Sequence, residues 1–138
     1  MALVIDASVT LAWCFADQAS PESDAILDRV ATSGACVPGL WHLELANILS
    51  RAERLGRIDA TAVDAFLTRL DCFEIVTDSP VASAQRKAVL KMARAHGLMA
   101  YDATYLELAQ RLGASLATLD EELRAVATQL GVGCLPLQ

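Results

Sequence analysis

No apolar run in the sequence approaches the roughly 18 residues a membrane helix requires, so a soluble protein with no membrane partner is expected. Basic residues are scarce as well: 11 Lys and Arg stand against 17 Asp and Glu, a net charge of -6. That balance excludes a broad electrostatic grip on nucleic acid and confines any such contact to local patches. The chain has four cysteines, Cys14, Cys36, Cys72 and Cys134, without CxxC or Cys/His metal spacing. Each lies beside apolar residues and is expected to be a reduced core thiol, which suits a cytoplasmic protein. Intrinsic disorder is excluded by an apolar content of 54%. The apolar N-terminal stretch has no basic leader and is interrupted by Asp6, so it reads as mature structure and not as a signal peptide. Repeats, low-complexity tracts and linkers are also missing, and one domain spanning residues 1–138 is expected.

What the sequence does contain is a regular alternation. Short apolar runs at 2–5, 35–37, 73–76, 116–119 and 132–135 read as buried strands. Helical patterns lie between them. Ser20-Pro21 opens one that Gly34 follows, and Ser79-Pro80 opens another that Gly97 closes. Asp59 can cap a helix carrying Val63, Phe66, Leu67 and Leu70, and Leu123, Val126, Ala127 and Leu130 repeat that spacing. Strands alternating with helices predict an α/β fold in which about five parallel strands are covered by helices on both faces.

Four acidic residues conflict with their surroundings. Asp6 ends the first strand, where open parallel sheets bind ligands, although an Asp between strand and helix is also an ordinary N-cap. Glu44 falls on the apolar stripe Trp41, Leu45, Ile48, Ala52 and Leu55, where a charge needs a cationic partner or a place at the rim. Glu53, by contrast, looks solvated. Asp102 heads the stripe Tyr105, Leu106, Ala109 and Leu112 and could itself be a cap. Asp120 follows a strand and precedes the last helix, copying the placement of Asp6. Strand C-termini and helix N-termini share one edge of a parallel sheet. Four carboxylates converging there raise one another's pKa values unless a divalent cation neutralises them. Oxygen donors without organised His or Cys favour Mg2+ or Mn2+ over zinc.

The segments VIDASV, VPGLWHLELANIL, AYDATYLELAQRLGASL and ATLDEEL, in this order and spacing, resemble the PIN-domain family, and within it the ribonuclease toxins of VapBC-type toxin-antitoxin pairs. The resemblance covers essentially the whole chain. It implies a three-layer α/β/α sandwich with a parallel five-stranded sheet, a Mg2+ or Mn2+ site, and cleavage of single-stranded RNA. The acidic roles pass to Asp6, Glu44, Asp102 and Asp120, with Asp6 and Asp102 as the main metal ligands. Glu44 and Asp120 would bind through water or hold a second ion. Ser8 and Thr118 match polar positions that would hydrogen-bond the carboxylates or a bound water. The family also implies a cognate antitoxin, and exposed apolar surface would serve that partner or a homodimer. Glu121 and Glu122 depart from the pattern, standing where relatives often carry basic residues.

Other chemistries compete with this reading. Paired histidines could cleave RNA without metal, and the chain holds His42 and His96, the latter favoured as a helix C-terminal cation. DASVT loosely resembles the DxDxT motif of HAD-type phosphatases, but Ser8 replaces the second Asp. A non-catalytic PIN-like module binding RNA or protein is the remaining alternative. Local cations for a phosphate chain are Arg51 and Arg54, and Lys87, Lys91 and Arg94 on another helix, but both sets read first as solvated faces and none is assigned to the site.

Overall fold

The structure is a computed structural model and describes residues 2–137. Its elements are β1 (Leu3–Ile5), α1 (Ala7–Ala12), α2 (Pro21–Ser33), β2 (Ala35–Val37), α3 (Gly39–Arg54), α4 (Ala60–Leu70), β3 (Ile75–Thr77), α5 (Ala82–His96), α6 (Ala100–Leu112), β4 (Ser115–Ala117), α7 (Glu121–Gln129) and β5 (Cys134–Leu135). The five strands form one sheet in the order β3-β2-β1-β4-β5, and every pairing is parallel. From β1 the chain steps outward to β2 and β3, then crosses back to the other side of β1 for β4 and β5. Right-handed crossovers therefore place α1 to α4 on one face and α5 to α7 on the other. The packing agrees, since α1 lies against α3 while α5 lies against α6 and α6 against α7. The result is the expected α/β/α layering. The order reverses between β1 and β4, so their carboxyl ends flank the crevice where open α/β sheets take ligands.

Several local expectations are corrected. β3 begins at Ile75, β4 spans Ser115–Ala117 and β5 is only Cys134–Leu135, because an apolar run records burial and not ladder pairing. Ser79 and Pro80 lie outside α5, whose cap is Val81 without a side-chain bond. On α3 the buried positions are Trp41, Leu45, Leu49 and Ala52, and Ile48 and Leu55 are exposed. The stripe advances by i+4 steps to Leu49, leaving Ile48 beside it. On α6 Leu112 is exposed, whereas Ala103 and Leu108 join Tyr105, Leu106 and Ala109 in the core, because β1, β4, α5 and α7 surround this helix. All four cysteines are free, but only Cys14, Cys36 and Cys134 are half-buried; Cys72 is exposed in the turn after α4. No helix among the described residues is long and apolar enough to cross a membrane.

Gly34 turns α2 into β2 with a φ of 75°, and a Cβ placed there would stand 2.6 Å from the Glu74 carbonyl oxygen. That oxygen already accepts the Ala35 amide at 3.0 Å, so it has little room to retreat. Gly34→Ala is expected to destabilise the protein by about 1–3 kcal/mol, combining left-handed strain with this clash. Urea denaturation checks it, and an unchanged midpoint would show that the strand end can shift.

Candidate active site

Asp6 leaves the sheet directly after β1, and its amide still bonds to the Ala117 carbonyl at 3.1 Å. Its backbone is extended, so its side chain turns back to cap α1: Oδ1 accepts the Val9 amide at 3.1 Å and the Ser8 hydroxyl at 2.6 Å. Oδ2 accepts the hydroxyl of the fully buried Thr118. Both hydroxyls continue the network. Ser8 Oγ accepts the Leu119 amide and Thr118 Oγ1 the Asp120 amide, each at 3.0 Å. The ends of β1 and β4 are thus joined through two hydroxyl side chains. Burial pushes the Asp6 carboxyl above its ordinary range and the charge of Asp120 adds to this, while the bonds from Ser8, Thr118 and Val9 act in the opposite sense.

Asp120 caps α7 with Oδ1 on the Leu123 amide at 3.1 Å, an arrangement parallel to that of Asp6. Asp102 is different. It stands in the first turn of α6, whose cap position is Met99, so the expectation that it could be a cap is corrected. Burial raises its pKa first, followed by the charges of Asp120, Asp6 and Glu122.

Glu44 comes from the opposite helical layer. The indole Nε1 of Trp41, one turn earlier on α3, donates to Thr10 Oγ1 at 3.1 Å, and that hydroxyl donates to the Asp6 carbonyl at 2.8 Å. These bonds fix α3 against the β1–α1 turn and hold Glu44 half-buried at the edge of its stripe. Its Oε1 accepts the hydroxyl of Tyr105. Burial raises the Glu44 pKa against that bond, and the charges of Asp6 and Asp102 raise it further.

Asp6 and Asp102 therefore lie within charge range of each other and of both Glu44 and Asp120 at the crevice between β1 and β4. Among the described residues, no Lys, Arg or His contributes to lowering the three raised carboxyls. Oxygen atoms remain available: Glu44 Oε2 and Asp120 Oδ2 take none of the bonds just described, and among the described residues no hydrogen bond acts on Asp102. No three His, Cys, Asp or Glu side chains among the described residues are close enough to grip one ion together. Such a donor set fits a hard divalent cation held by one or two carboxylates that retains several waters, the usual habit of Mg2+.

The two histidines are on separate surfaces. His42 lies over the α3–α4 groove with Nε2 2.8 Å from Thr77 Oγ1, whereas His96 lines a hollow between α5 and α6. Arg51, Arg54, Lys87, Lys91 and Arg94 are all exposed. Three residues of the site escape a reading of the sequence alone. Thr10 and Tyr105 pass for stripe residues, although a buried hydroxyl always requires a partner. Arg124 is buried in α7 and donates to the carbonyls of Thr118 at 3.1 Å and Pro136 at 2.8 Å, clamping the end of β4. Its place one step from the apolar Leu123 was the available signal.

Comparison with known proteins agrees with this fold. The PIN domain family model matches residues 3–129. Exonuclease VapC9 of Pyrobaculum aerophilum is 37% identical over 83 residues, 59% of this chain and 59% of that protein, so the match spans less than two thirds of this relative. Ribonuclease VapC3 of the same organism is 28% identical over 124 residues, 89% of this chain and 92% of that protein. The crystal structure of PAE2754 from Pyrobaculum aerophilum superposes with a TM-score of 0.68 at 28% identity, covering 91% of this chain and 84% of the other. FitAcB from Neisseria gonorrhoeae superposes with a TM-score of 0.56 at 20% identity over 96% of this chain and 95% of the other, a likeness of fold. With its family match running from β1 to the end of α7, the chain belongs to the PIN-domain family.

Proposed function

We propose that this chain is a VapC-type endoribonuclease that cleaves single-stranded RNA with Mg2+ or Mn2+, and that it is the toxin of a toxin-antitoxin pair. The observation that carries the reading is that, among the described residues, no cation offsets the raised carboxyls of Asp6, Glu44 and Asp102, which stand with Asp120 at the switch point of the sheet. Relatives named as ribonuclease VapC3 and exonuclease VapC9 support a nuclease. A bound divalent ion supplies an activated water and neutralises charge on the scissile phosphate. Asp6 and Asp102 would hold it directly, one at a strand end and the other on a helix, with Glu44 and Asp120 binding through water. Ser8 and Thr118 fix the plane of the Asp6 carboxylate, leaving it little freedom to rotate away. Water attack in line leaves a 5′-phosphate and a 3′-hydroxyl.

A cognate antitoxin and a homodimeric state belong to the same proposal. An apolar groove of about 460 Å³ between α3 and α4, lined by Trp41, Leu45, Leu49, Val63, Leu67 and Phe73, supports a protein partner. Four free cysteines support work in a reducing compartment such as the cytoplasm.

The test uses end-labelled linear RNA and a circular single-stranded RNA, with Mn2+ or with chelator. Opening of the circle, 3′-hydroxyl ends and complete loss of cleavage in chelator are expected. Cleavage of the linear substrate alone would make the enzyme an exonuclease. Chelator-resistant cleavage with 2′,3′-cyclic phosphate ends would overturn the metal-dependent reading.

A further inference from the structure

We infer that Tyr105 is a positioning residue for Glu44, holding that carboxylate toward the acidic crevice through its hydroxyl and not through packing. The inference rests on the nuclease reading above. Tyr105 is 2% exposed, and its hydroxyl donates to Glu44 Oε1 across 61 positions of sequence. The two residues sit on α6 and α3, helices of opposite layers, so the bond spans the crevice between them.

A glutamate has three side-chain torsions, and Glu44 is only half-buried, so it has somewhere else to go. The charges of Asp6 and Asp102 repel it, which favours a rotamer turned out to water. The bonds from Trp41 and Thr10 hold the backbone of α3 but do nothing for the torsions of Glu44 itself. Among the described residues, the Tyr105 hydroxyl is the group that opposes that escape. It also leaves Oε2 unengaged. Asp102 and Tyr105 are three positions apart on α6 and share one helical face, so the helix that offers one carboxylate also anchors the opposing one.

Tyr105→Phe removes one oxygen and keeps the ring. Groups that orient a metal-binding side chain typically change metal affinity by about 10–100-fold when lost, and a fall of that size is expected here. Mn2+ affinity is measured without RNA, from the electron paramagnetic resonance signal of free Mn2+, for wild type, Tyr105→Phe, Glu44→Ala and the double variant. Tyr105→Phe is expected to bind Mn2+ about 10–100-fold more weakly, with the KM for RNA at saturating Mn2+ unchanged. In the Glu44→Ala background it should have no further effect, because its action passes through Glu44. Unchanged Mn2+ affinity in Tyr105→Phe overturns the inference. So does an equal loss in both backgrounds, which would assign Tyr105 to packing. Wild type that neither binds Mn2+ nor cuts RNA overturns the nuclease reading and this inference with it, a result visible before any substitution is made.

Discussion

Asp102→Asn should melt at a higher temperature than wild type in chelator and lose RNA cleavage by about 10³-fold or more in Mn2+. Asp102 is surrounded by like charges from Asp120, Asp6 and Glu122, with no opposing cation among the causes of its shift. Neutralising it removes all three repulsions, worth roughly 1–2 kcal/mol together at a half-exposed site where solvent screens them. Asn also forfeits the attraction of a first-turn acid for the helix N-terminus, about 0.3–1 kcal/mol. It forfeits no capping bond, since the cap of α6 is Met99. The net gain is up to about 1 kcal/mol, a rise of roughly 2–4 °C for a chain of this size. Excess Mn2+ should then stabilise wild type more than the variant, through linkage to the folded state. Thermal melting with chelator and with Mn2+ decides the matter. A variant that melts lower in chelator, with equal metal shifts in both proteins, would make Asp102 a structural residue.

The metal-free protein should also lose stability as pH rises, the reverse of what a salt-bridged carboxylate produces. Asp6, Glu44 and Asp102 are raised above the ordinary values of 3.8, 4.5 and 3.8. Between those values and the raised ones the folded chain binds more protons than the unfolded chain, so the free energy of unfolding falls as pH increases. Stability from these groups is therefore greatest below their unfolded pKa values and is lost as pH passes the folded ones. Because metal binds only the deprotonated carboxylates, excess Mn2+ should invert the trend. Urea midpoints from about pH 4 to pH 7 test this, with Asp102→Asn as the control that isolates the cluster from other titrating groups. The variant should show a shallower fall in chelator. Equal slopes in wild type and variant would mean that the carboxylates are not coupled in the folded state.

The βα alternation was legible because Ser20-Pro21, Gly34, Asp59 and Gly97 punctuate it by local backbone rules that need no tertiary context. Asp6 and Asp120 were legible for the same reason, since strand-to-helix turns mark their own positions. Glu44 stood out as a charge on an apolar helix face even though the stripe ran through Leu49 and not Ile48. What sequence could not show is which strand ends are neighbours. Thr118 was marked by resemblance as a neighbour of the carboxylates, but that its hydroxyl meets Asp6, 112 positions away, depends on β4 pairing with β1. Tyr105 was hidden by its own ring, which satisfies the apolar pattern of α6 while the hydroxyl at its tip answers to a residue on another helix.

The pairing of Leu3–Ile5 with Ser115–Ala117 also governs when in assembly the site can exist. Contacts that close so long a loop form late, because the entropy lost in closing it must be met before they contribute anything. A fragment ending before Ser115 retains Asp6, Glu44 and Asp102 but lacks β4 and, beyond it, Thr118 and Asp120. A chain without β4 therefore leaves the acidic edge incomplete. The acidic edge is complete only when the strand-helix-strand unit β4-α7-β5 has docked on β1.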